Sequence, residues 1–139
     1  MKDHTQVLAY CSDQELSELA TSVLHNYSEG EIKLLKGPSL GLVMLRQQES
    51  VADSQFNAGE ILVTEVRLEL NNQFGFGMVI GDRPMAALAI AIVDAALAQK
   101  GSLADELTRS IQLLGQAVEQ ERRRTYRQVA NTKVAFEVF

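Results

Sequence analysis

The sequence predicts an α+β fold: a mainly antiparallel sheet with helices packed against it, an N-terminal helix, two helices in the C-terminal half, and a closing strand. Three observations lead there. From Thr64 to Ile80 apolar residues alternate on both sides of Asn71 and Asn72, the pattern of a half-buried hairpin. From Met85 to Ala98 the only charged residue is Asp94, so this stretch is a helix that needs burial on more than one side. Strand-like runs come first and helical runs follow, without the strict alternation of a parallel α/β sheet. A chain of 139 residues supports one core but not comfortably two, so residues 1–139 are read as a single domain.

Taken in order, Ser12 and Glu15 form a capping-box pattern, and Leu16, Leu19, Ala20, Val23 and Leu24 recur at helical spacing to about Tyr27. Ile32 to Leu35 and Leu40 to Leu45 flank Gly37-Pro38-Ser39, which predicts a first hairpin. Arg46 to Ser54 is polar and reads as a loop before a long strand beginning near Gly59. In the central hairpin, Val66, Leu68 and Leu70 precede the turn and Phe74, Phe76, Met78 and Ile80 follow it. One apolar face results only from a loop of odd length, such as Asn71, Asn72 and Gln73, or from an even loop with a bulge. Asp82 is placed to cap the next helix, with Pro84 in its first turn. Lys100 and Gly101 stop that helix, Ser102 with Asp105 starts another, and Leu103, Leu107, Ile111, Leu114 and Val118 form its buried stripe, with Gly115 a possible bend. Lys133 to Phe139 alternates and predicts the last strand.

At about 100° per residue, Met85, Leu88 and Ile92 lie on one side of the uncharged helix, Ile90, Val93 and Leu97 on a second, and Ala87, Ala91, Asp94 and Ala98 on a third. One stripe covers the hairpin. The second is met either by another helix of the chain or by a partner subunit, which makes Ile90, Val93 and Leu97 candidate interface residues. Phe136, on the expected edge strand, joins them. The run is shorter than the ~20 residues a bilayer requires, so no membrane span is predicted.

The net charge of -5 argues against nucleic acid, which needs a basic face to displace counterions. A single cysteine, Cys11, rules out an internal disulfide, and the opening MKDHTQ lacks the apolar run of a signal peptide; a cytoplasmic protein is expected. The sequence shows no phosphate loop, nucleophile elbow or cysteine pair, and His4, His25 and Cys11 have no metal-ligand spacing, so neither catalytic nor metal residues are assigned. Arg123 and Arg127, within the run Arg122 to Arg127, are candidate phosphate contacts because guanidinium groups pair bidentately with phosphate oxygens. The competing reading is a solvated helix end, with Glu119 and Arg123 at i,i+4 spacing. Glu65 and Arg67, on the polar side of the hairpin, are candidate contacts to a substrate or neighbouring subunit. Gly75 and Gly77 join them, because a strand glycine permits close approach of a ligand or another backbone.

The run GEILVTEVRLELNNQFGFGMVIGDRPMAALAIAIVDAAL, with the ending NTKVAFEVF, resembles the PhnG family, the G subunit of bacterial carbon–phosphorus lyase. The likeness is densest from Gly59 to Ala98. It implies a core complex with the H, I and J subunits, the I subunit being the direct partner, in which methylphosphonate displaces adenine from ATP to give ribose 1-methylphosphonate 5-triphosphate. On that resemblance ATP is a substrate of the complex, no cofactor is bound by this chain, and its role is structural or substrate-shaping. The chain departs from the family pattern where Phe76 replaces a tyrosine between two glycines, and where Asp82 precedes Arg83 at the helix start. The alternative is a stand-alone small-molecule-binding or scaffold protein; in either case a homo-oligomer is expected when the chain is alone.

Overall fold

The computed structural model describes residues 3–48 and 55–137, in the order α1 (Asp3–Tyr10), α2 (Asp13–Leu24), a 3-10 turn (Glu29–Glu31), β1 (Ile32–Gln48), β2 (Gln55–Leu70), β3 (Gln73–Ile80), α3 (Pro84–Ala98) and α4 (Ser102–Glu137). The fold is α+β, as the sequence predicts. The strands form an antiparallel meander with β2 in the centre, and α3 lies between the sheet and the other helices. Among the described residues, no helix is long and apolar enough to cross a membrane.

The capping box is present: Ser12 Oγ accepts from the Glu15 amide at 3.2 Å, while the Ser12 amide donates to Glu15 Oε1 at 3.1 Å. Reciprocal caps of this kind satisfy two of the donors a helix start leaves unpaired. Leu16, Ala20 and Val23 then bury one face of α2 against α3. The short α1 was not expected. Leu8 anchors it in the core, and Gly115 lets it approach α4, since a β-carbon there would stand 3.2 Å from Val7 Cγ2. Gly115 therefore marks a close approach.

Val66, Leu68 and Leu70 on β2 and Ile90 and Val93 on α3 are essentially fully buried. At ~1.5–3 kcal/mol for each large apolar side chain, these five are a principal source of the fold's stability. The second stripe of α3 is thus covered from within the chain. The side of α3 that meets β3 is the one made of small residues. A β-carbon at Gly75 would lie 2.3 Å from Ala91 O, and one at Gly77 would lie 2.1 Å from Ala87 O. Only glycine rows let helix and strand come this close.

That packing overturns the parity expectation for the central hairpin. Leu70 pairs with Gln73, Leu68 with Gly75 and Val66 with Gly77, without a bulge. Asn71 and Asn72 form the two-residue turn with φ of 50° and 67°, the left-handed pair of a type I′ turn. The expectation failed because it took the bulky residues of β3 for its buried face, whereas glycines form that face and the bulky side chains point outward.

Four further features differ from the sequence reading. The first hairpin is a single strand, β1, in which Gly37 and a cis Pro38 sit within an irregular stretch between Leu34 and Ser39. Gly37 has φ +85°, and a β-carbon there would lie 2.3 Å from Glu65 O, so the segment folds closely over β2 rather than turning back. The N-cap of α3 is Arg83, not Asp82. The closing strand is absent as far as it is described: residues 133–137 continue α4, and the last two residues lie outside the described ones. Of the expected loop, residues 46–48 belong to β1, and residues 49–54 lie outside the described ones.

Candidate functional site

Antiparallel pairing places directly opposed side chains on one face. The pairs Glu65 with Met78, Arg67 with Phe76 and Glu69 with Phe74 therefore share the face turned away from α3. On it β3 contributes an apolar row in which Phe74 is 52%, Met78 40% and Ile80 70% exposed. Beside it β2 contributes a charged row. Glu65 is held between two cations, with Lys36 Nζ at 3.1 Å and Arg67 Nε at 3.4 Å from Oε1. Arg67 also lies over the Phe76 ring, 5.7 Å from its centroid. The outcome is a mixed surface, with an aromatic and aliphatic strip along one strand and a neutralised carboxylate along the next. Such a surface suits a protein partner with an apolar strip and a few polar groups at its side.

The sequence-derived candidates divide between the two faces. Glu65 and Arg67 belong to this outer site. Gly75 and Gly77 do not: both are buried under α3, where the backbone they admit is the helix itself. Ile90 and Val93 are core residues, Leu97 is partly buried against the core, and Phe136 falls in the helical continuation of α4. Arg123 and Arg127 are exposed on α4. Arg123 Nε lies 3.4 Å from Glu119 Oε1 at i,i+4 spacing, a pair open to solvent on both sides.

Three arrangements escaped the sequence reading because they join distant segments. Asp94, the single charge of α3, accepts from the Phe76 amide at 3.0 Å with Oδ2 and lies 3.0 Å from His4 Nε2 with Oδ1. It thereby occupies a backbone donor of β3, an edge strand. Thr64, fully buried on β2, donates to Gly81 O at 2.6 Å and accepts from the Arg83 amide at 2.9 Å, pinning the connection from β3 to α3. An isolated charge in an apolar helix was the available signal for the first; nothing in the sequence marked Thr64. The third is an open cleft of about 560 Å³ bordered by Tyr10, Ile80, Arg83, Val118 and Arg122, where Arg83 pairs with Asp13 and Arg122 lies over Tyr10 at 5.5 Å.

Cys11 is buried, and its Sγ donates to Val7 O at 3.3 Å. Burial, reinforced by the nearby Glu15 charge, pushes its thiol pKa up, away from the thiolate form that a nucleophile or metal ligand requires. Glu31, by contrast, is held below the usual carboxylate range by hydrogen bonds from the Ser28 backbone and then its side chain.

Among known families, the model described as phosphonate metabolism protein PhnG matches residues 2–139. No curated protein matches the chain.

Proposed function

Since the chain belongs to the PhnG family of phosphonate metabolism proteins, we propose that it serves as the G subunit of a carbon–phosphorus lyase core complex. In this role it assembles with the H, I and J subunits, contacts the I subunit directly, and supports displacement of adenine from ATP by methylphosphonate. The product is ribose 1-methylphosphonate 5-triphosphate. The chain itself is non-catalytic, takes no cofactor, and shapes or positions the site in which ATP reacts on a larger subunit. It acts in the cytoplasm.

The observation that carries this reading is the outer face of the sheet. Phe74, Met78 and Ile80 form an exposed apolar row beside the Lys36–Glu65–Arg67 cluster. Isolated exposed apolar residues are ordinary, but a contiguous row rimmed by charge is characteristic of a protein interface. Arg67 is well placed to orient the partner, because its planar guanidinium is already ordered by Glu65 and the Phe76 ring. The test is co-purification with the H, I and J subunits, followed by an adenine-release assay on complexes prepared with and without this chain. Stable association and adenine release that depends on the chain are expected. Full activity in its absence, or adenine release by the chain alone, defeats the proposal.

A further inference from the structure

The long ribbon made by β1 and β2 has a different character from the rest of the sheet. β3 pairs with β2 only from Val63 onward, so beyond that point β1 and β2 continue as two strands without a third among the described residues. Leu40, Leu42 and Met44 on β1 lie opposite Thr64, Leu62 and Glu60, and Leu42 is 63% exposed with Leu62 41% exposed beside it. A two-stranded ribbon is marginal in water unless more strands or a packed face support it.

The outer edge of β1 is guarded along one half and open along the other. From Lys33 to Pro38 it carries two lysines, a proline and two register shifts, all of which discourage strand addition. From Ser39 to Leu45 it has no charge, no proline and an unbroken register with β2. On the other edge of the ribbon, Glu60 and the irregularity beside Gly59 interrupt the apolar run.

We infer that Ser39–Leu45 of β1 is a homodimerisation strand, pairing antiparallel with the same segment of a second copy about a two-fold axis at Leu42. The segment is complementary to itself. In this register Leu40 of one copy faces Met44 of the other, Gly41 faces Val43, and Leu42 faces Leu42, so large meets large on one face and small meets larger on the other. Charge selects this occupant. Homotypic pairing brings each residue near its own equivalents, which is unfavourable when the segment is charged, and this one has no charge to repel itself. Adding the second copy converts two marginal ribbons into a four-stranded sheet, with Leu42 and Leu62 of both copies on one continuous face.

The experiment uses the full chain in a concentration series by light scattering, with circular dichroism to confirm folding. Wild type is expected to reach twice the 15.3 kDa chain mass. Leu42→Lys and Leu42→Glu alter an exposed side chain, so both variants should fold, but each sets like charges opposite one another at the axis. Each should raise the dimer dissociation constant at least about tenfold. An equal mixture of the two variants places lysine opposite glutamate and should recover the dimer. A wild-type chain that remains monomeric up to its solubility limit overturns the inference. So does a dimer indifferent to both substitutions, which locates self-association elsewhere, or a pair of variants that stay monomeric when mixed.

Discussion

The backbone of Gly77 lies so close to Ala87 that a β-carbon on the glycine would stand 2.1 Å from the Ala87 carbonyl oxygen. No rotamer change can relieve a clash between a β-carbon and backbone. Gly77→Ala must therefore push α3 off β3, separating Ala87 and Ala91 from the sheet and opening the core around Ile90. A loss of at least ~3 kcal/mol in urea unfolding is expected, within the upper range for overpacking. Gly30→Ala is the control: a β-carbon there meets nothing within 4 Å, so stability should change by no more than about 1 kcal/mol.

The connection between β3 and α3 depends on Thr64. Thr64→Val preserves the shape but removes an oxygen that both donates to Gly81 O and accepts from the Arg83 amide. Leaving those groups without a partner beside the core should cost about 1–3 kcal/mol. Thr64→Ser keeps the oxygen and loses only a methyl group, and should cost less. Equal losses for the two variants in thermal or chemical unfolding would mean that packing, rather than hydrogen bonding, is what Thr64 supplies.

These two positions show how far the sequence could be read. The Ser12–Glu15 box was legible because capping is local, involving groups three residues apart. The buried stripe of α4 was legible because Leu107 and Ile111 repeat at helical spacing. The face of β3 was misread because hydrophobic pattern detects side chains, and a contact made by the absence of side chains at Gly75 and Gly77 leaves no apolar signal. The ending VAFEV alternates yet also permits a helix, and in so short a run period alone does not decide. At the site, alternation placed Glu65 and Arg67 on the polar face. Their link to Lys36 and Phe76, like that of His4 to Asp94, is set by tertiary geometry.

The buried thiol gives a pH dependence with a definite sign. Cys11 has its pKa raised in the folded protein, so between its unfolded and folded values the native state retains a proton that the unfolded state has lost. Its contribution to stability is complete below the unfolded value, about 8.5, and is lost as pH rises through the folded one. Unfolding free energy should therefore decline as pH rises from the unfolded value through the folded one, more steeply in wild type than in Cys11→Ala. Alkylation of the native protein at neutral pH should be slow and should accelerate on unfolding. Rapid alkylation of fully folded protein would contradict the burial.

On α4, Arg123 and Glu119 are exposed partners, and such pairs contribute little, typically ~0–1 kcal/mol. Arg123→Ala and Arg127→Ala should each change stability by less than about 1 kcal/mol and leave the ATP dependence of the assembled complex unaltered. A direct phosphate contact gives another result. Losing a charge-assisted hydrogen bond of ~1.5–3 kcal/mol should raise the apparent KM for ATP by roughly tenfold or more. An ATP titration of wild-type and variant complexes separates the two readings.

The docking face is tested by removing its apolar row without disturbing the core. Phe74 and Met78 are 52% and 40% exposed, so Phe74→Ser with Met78→Ser should lower the isolated chain's stability by about 1.5–3 kcal/mol, and circular dichroism should show that the double variant still folds. Burial against a partner changes that balance. Full burial of such a side chain is worth ~1.5–3 kcal/mol and about half of each is still exposed, so the pair together should weaken binding to the I subunit by at least about tenfold. Arg67→Ala should weaken it less, because Arg67 lies beside the apolar row rather than within it. Surface-immobilised I subunit and purified variants provide the measurement, with Leu113→Ser, an exposed residue on α4, as the control that should bind like wild type. If the double variant binds normally while Leu113→Ser does not, the I subunit docks on the helical side, and the outer sheet face loses its assignment.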